Sequence, residues 1–143
     1  MPHISQRKIS EEDFKKIYNQ LISVFDTAGN DRRNNEFLKE FFTPTEKMMF
    51  AKRLAILCMI DEDISKHYIS EILLVSPSTV DRISLRHEQN KYPYLSKILK
   101  KNKETIWNVL EKIIRKGAEH RGKGRWKWFN EMERKHKHKT FKT

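Results

Sequence analysis

The stretch TPTEKMMFAKRLAILCMI, residues 43–60, constrains this chain more than any other. Thr43 is a natural helix cap, Pro44 fits the first helical position, and Glu46 completes a capping box. The helix that follows should run to about Ile60. After Arg53 it is apolar nearly all round, so it has no long face to give to water. It is therefore expected to be a central element that other helices cover. Cys58, the single cysteine, lies inside this run. It can form no internal disulfide, and buried core packing is its expected role.

Helical signals recur elsewhere and strand signals do not. Four Gly and four Pro interrupt the chain, and no sustained two-residue alternation is present. A helix over 10–25 starts with Ser10 and the acids Glu11, Glu12 and Asp13, at the positive end of its dipole. Phe14, Ile17, Leu21, Val24 and Phe25 follow at helical spacing, and TAGND (27–31) should break the helix. A short helix over about 32–41 should present Phe37, Leu38 and Phe41 on one side. IDEDIS (60–65) reads as a turn, followed by a short helix at roughly 66–73. Ser76-Pro77 opens another helix, and one long helix is expected from about Pro93 to Arg115.

The two helices around LLVSPSTVDRISLR (73–86) have the spacing of a helix-turn-helix. Ile69, Leu73, Val75, Val80 and Ile83 can pack them together, with the small Ser70 at their crossing. Ser76, Ser78, Thr79, Asp81 and Arg82 are left outside that packing. A helix N-terminus with short hydroxyls suits phosphate contact and entry into a major groove. Leu74 stands where the tight turn more often carries glycine. A left-handed backbone is costly for leucine, so a longer or differently shaped turn is expected there.

The length of 143 residues suits one domain with a core, and LAILCMI (54–60) is far below the roughly 20 residues of a spanning helix. With no secretory leader pattern at its start, the chain reads as a soluble, cytoplasmic protein. The formal charge of +11 points to an anionic partner. Residues 115–143 hold eleven Lys or Arg against three acids, a net +8, so the rest of the chain carries only +3. Residues 1–116 are thus expected to form a helical DNA-binding domain, and 117–143 a basic, aromatic tail.

From Phe37 to about Leu99 the chain resembles the Trp repressor superfamily. The resemblance rests on LKEFFTPTEKMMFAKRLAIL (38–57), then ISKHYISEILLVSPSTVDRIS (64–84), then a C-terminal helix. It implies an all-α, Trp repressor-like helical domain with a helix-turn-helix, in an intertwined homodimer. Phe14, Phe25, Phe37, Phe41 and Trp107 would supply the interface between the two copies. By the same resemblance, Ser65, Lys66 and Ser70 would meet double-stranded DNA from the first helix of the motif. Ser78, Thr79, Asp81 and Arg82 would meet it from the second, flanked by Ser76 and Arg86. Asp81 is an acid facing DNA. It either reads a cytosine amino group, orients Arg82 or Arg86, or is a solvated face residue.

In the repressor, tryptophan sits between two arginines. Arg53 and Arg82 fall at the matching positions, and Thr43 matches a pocket residue. Ile83, however, replaces the glycine that lines the indole pocket, and the turn at 60–64 is one residue shorter. No tryptophan corepressor is expected, nor any other cofactor.

The tail RGKGRWKWFNEMERKHKHKTFKT (121–143) interleaves cations with Trp126, Trp128 and Phe129. Arg121, Lys123, Arg125, Lys127, Lys135, Lys137 and Lys139 are candidate phosphate contacts, while the aromatics could equally stack on bases or dock on the body. His136 and His138 lack the partners a metal site needs. No phosphate loop, HExxH or nucleophile–base spacing is present, so an enzyme is not expected. The leading expectation is a sequence-specific, dimeric transcriptional repressor. A protein that binds RNA through its tail, or a replication or mobile-element DNA-binding protein, is the alternative.

Overall fold

The computed structural model describes residues 8–119 and Arg134. Among the described residues the chain is helical, without strands: α1 (Glu11–Gly29), α2 (Asn34–Phe41), α3 (Pro44–Asp61), α4 (Lys66–Leu73), α5 (Pro77–Glu88), α6 (Pro93–Lys101) and α7 (Lys103–Glu119). The all-α expectation holds. No helix among them is long and apolar enough to cross a membrane. The chain divides into two compact units, one reaching to Lys47 and the other starting at Met48.

In the first unit the Ser10 hydroxyl accepts from the Asp13 N–H at 3.1 Å, and acids fill the first turn of α1. Glu11–Lys15 and Glu12–Lys16 pair one turn apart. The helix runs into TAGND and ends there, at Gly29 with Asn30 as its C-cap. Thr27 donates its hydroxyl to the Ser23 carbonyl at 3.0 Å, and the Asn30 side chain donates to the Asp26 carbonyl at 2.9 Å. Such side-chain bonds back onto helix carbonyls compete with the backbone ladder, in keeping with a helix that ends in this segment. The Phe25 ring meets Phe37 and Phe41 edge-on at 5.4 and 5.8 Å, which joins α1 to α2. Ala28 is the only buried residue described in this unit.

The second unit has a continuous core. α3 contributes Ala55, Ile56, Leu57 and Met59, α4 gives Ile69 and Leu73, and α5 gives Val80 and Ile83. Leu99 of α6 and the α7 residues Leu110 and Ile114 complete it. The apolar second half of α3 is central, as its composition requires. Trp107, expected at an interface between copies, packs half-buried against this core.

Two expectations need correction. The long helix over 93–115 is two helices, because Asn102 turns its side chain back onto the Ile98 carbonyl at 3.1 Å. The Asn102 N–H meanwhile reaches both the Ile98 and Leu99 carbonyls, closing α6, and its own carbonyl starts α7 by accepting from Ile106. Cys58 is half-buried rather than fully buried. It lines a cavity of about 220 Å³ with Asp61, Glu62, Leu99, Lys103 and Trp107. Burial, and then the charges of Asp61 and Glu62, push its thiol up to about 11, so it is un-ionised at neutral pH.

Candidate nucleic-acid interface

α4 and α5 pack against each other, and of the five residues that spacing assigned to this contact Ile69, Leu73, Val80 and Ile83 are buried in the core while Val75 packs against it half-buried. The turn between them keeps the short helix-turn-helix length. Leu74 itself takes the left-handed conformation, with φ 52° and ψ 52°, so the longer or differently shaped turn expected to avoid it is not present. The backbone is held there by four bonds, the first from the Leu74 N–H to the Ser70 carbonyl. The Val75 N–H reaches back to the Ser70 carbonyl at 3.1 Å, the Ser70 hydroxyl donates to the Val75 carbonyl at 2.7 Å, and the Lys52 ammonium donates to the Leu74 carbonyl at 3.2 Å. Two of these bonds use side chains, and together they hold a conformation that leucine resists.

The two helices of the motif start in the same way. The Ser65 hydroxyl accepts from the Tyr68 N–H, and the Ser76 hydroxyl accepts from the Thr79 N–H at 3.3 Å. Ser76 also exchanges hydroxyl bonds with Ser78 at 3.1 Å and Thr79 at 2.7 Å. The start of α5 is thus a cluster of three hydroxyls around a helix N-terminus, with Ser76 and Ser78 exposed and Thr79 half-buried. Such a cluster can meet phosphate oxygens without moving its backbone.

Asp81, Arg82 and Arg86 are exposed on α5, and Ser65 and Lys66 are exposed at the start of α4. Of these, Lys66 and Asp81 are brought into direct contact across the motif. Ser70 is half-buried, with its hydroxyl committed to the turn. Asp81 pairs with Lys66 at 3.5 Å, while the Arg86 guanidinium stacks over the Tyr92 ring at 5.3 Å. Of the residues matched to a tryptophan pocket, Arg82 is exposed on α5 and the others make local contacts. Thr43 caps α3 in the first unit, and in the second unit exposed Arg53 lies over the Phe50 ring at 5.6 Å. Ile83 is buried in the core. The tail residues Arg121, Lys123, Arg125, Lys127, Lys135, Lys137 and Lys139 lie outside the described residues, as do His136 and His138.

Two supporting residues were not foreseen. Lys52 reaches across 22 positions to the turn, and His87 at the end of α5 meets Asp61 at the end of α3 at 2.8 Å. Neither leaves a local sequence signal, because each contact depends on how α3 crosses the motif. Exposed Leu85 is a third unforeseen residue, an apolar group beside Asp81 and Arg82 on the open face of α5.

Comparison with curated proteins and with solved structures finds no match. A family model described as Trp repressor protein matches residues 16–103, from the first half of α1 to the start of α7. That range is wider than the one carried by the motifs, and it contains the whole helix-turn-helix. The chain therefore belongs to the Trp repressor family, all-α helix-turn-helix regulators that bind DNA.

Proposed function

We propose that the protein is a homodimeric, sequence-specific DNA-binding protein of the cytoplasm that acts as a transcriptional repressor. The observation that carries this reading is the division of α5 into two faces. Val80 and Ile83 are buried against α4, while Ser76, Ser78, Asp81, Arg82 and Arg86 are exposed from the helix N-terminus onward. A helix held from behind in this way can enter a major groove with its first turns against base edges and phosphates. Arg82 is the strongest single donor on that face, able to pair bidentately with guanine.

Dimerisation is supported by the first unit. Phe14, Ile17, Tyr18, Ile22 and Val24 are all exposed along α1, an apolar load that an isolated chain leaves in water. A second copy covering that face would supply the burial the unit lacks. Tryptophan is not the corepressor, because Ile83 fills with a branched side chain the place where an indole would need glycine. The basic tail adds sequence-independent contact with phosphates.

The test is selection of bound molecules from a pool of random duplexes at about physiological salt, followed by sequencing. A two-fold symmetric motif with half-sites about one helical turn apart is expected. Strong, salt-sensitive binding without a motif, or a preference for single strands, would instead favour a tail-driven RNA-binding function.

A further inference from the structure

The open face of α5 carries Ser78, Asp81, Arg82, Leu85 and Arg86. Arg82 and Arg86 only donate hydrogen bonds, Leu85 does neither, and Asp81 only accepts. A carboxylate approaching a groove walled by phosphates is repelled unless a cation neutralises it. Here the cation is in place. The Lys66 ammonium lies 3.5 Å from an Asp81 carboxylate oxygen and 4.0 Å from one of Glu88. Asp81 and Glu88 are two turns apart on one line of α5, and Glu88 is further held by the Ser84 hydroxyl at 3.2 Å. Lys66 is the first residue of α4, where the helix dipole disfavours a cation. The two acids across the turn offset that repulsion.

The Asp81 side chain nevertheless stays 64% exposed, so its carboxylate is open beyond the lysine. A neutralised, outward, acceptor-only group matches one base edge in the major groove. Cytosine presents its N4 amine as a donor, whereas adenine places the N7 acceptor beside its amine, which a carboxylate repels. The geometry points to Asp81 as a specificity-determining residue that selects a G·C pair by accepting from cytosine N4, with Lys66 as its positioning partner. This inference rests on the DNA-reading function proposed above.

Duplex selection with the unaltered protein, Asp81→Asn, Asp81→Ala and Lys66→Gln tests it. The unaltered protein should require cytosine at one position of each half-site, by on the order of tenfold over other bases. Asp81→Asn should change that position to adenine, because an amide pairs with adenine N6 and N7, and should leave the other positions intact. Asp81→Ala should lose the preference there alone. Lys66→Gln should weaken the cytosine preference as well as overall affinity. A cytosine preference undiminished in Lys66→Gln would overturn the lysine's part, and an unchanged motif in both Asp81 variants would overturn the inference while leaving DNA reading intact. A motif absent from the unaltered protein would remove the DNA-reading function itself.

Discussion

Leu74 has φ 52° with its side chain 74% exposed, so it bears the backbone strain of the turn while burying little in return. A left-handed L-residue costs about 1–2 kcal/mol, against roughly 0.5–1 kcal/mol for the entropy a glycine loses on folding. Leu74→Gly should therefore stabilise the protein by up to about 1 kcal/mol, read as a higher urea midpoint at unchanged slope. A lower midpoint would mean that the Leu74 side chain is covered in the assembled protein. Asp63 and Asn90 also take left-handed conformations, at φ 58° and 53°, and close α3 and α5. Their short polar side chains make that conformation easier than it is for leucine. The difference explains why the Leu74 turn alone needed Ser70 and Lys52 to hold it.

Among the elements, α3 shows how local chemistry and tertiary burial divide one helix. Its start is local. The Thr43 hydroxyl accepts from the Glu46 N–H at 3.2 Å, and the Glu46 carboxylate accepts from the Thr43 N–H at 2.9 Å and its hydroxyl at 3.0 Å. The Thr43 N–H, and then its hydroxyl, hold the Glu46 carboxyl below its ordinary value near 4.5. A group whose folded value is depressed contributes stability that is complete above its unfolded value and lost as pH falls through the folded one. Thr43→Ala should cost about 1 kcal/mol of stability. It should also raise the Glu46 value only partway, since the backbone bond survives, as followed by an NMR titration of that carboxyl. A full return to the ordinary value would assign the whole effect to the hydroxyl. The later half of α3 is decided instead by the helices around it.

For the whole molecule, the two units differ in how far each completes itself. The second has a core drawn from five helices, while the first holds its phenylalanines together with almost nothing fully buried. In the proposed dimer, the α1 face is where a second copy adds most. Ile17, 60% exposed, is central to it. Ile17→Glu should leave helix content unchanged, convert the dimer to monomer in sedimentation, and reduce affinity for a two-fold symmetric site far more than for a half-site. A variant that stayed dimeric would place the interface elsewhere. Stability should also rise with protein concentration, since assembly draws on the folded state.

The sequence by itself determined that the chain is helical, where α3, α4 and α5 start, and which apolar residues hold α4 and α5 together. Caps and apolar spacing act within a turn or two, so they can be read one segment at a time. The helix-turn-helix was legible for the same reason, through Ile69, Leu73, Val80 and Ile83. Only the tertiary structure decided the rest. That Asp81 pairs with Lys66 rather than with its helix neighbours, that Lys52 caps the turn, and that His87 meets Asp61 all depend on how α3, α4 and α5 cross. The break at Asn102 was hidden because asparagine is tolerated within a helix as well as at its end, and apolar periodicity runs on through both α6 and α7. The side-chain bond to the Ile98 carbonyl that makes the break leaves no mark on that spacing.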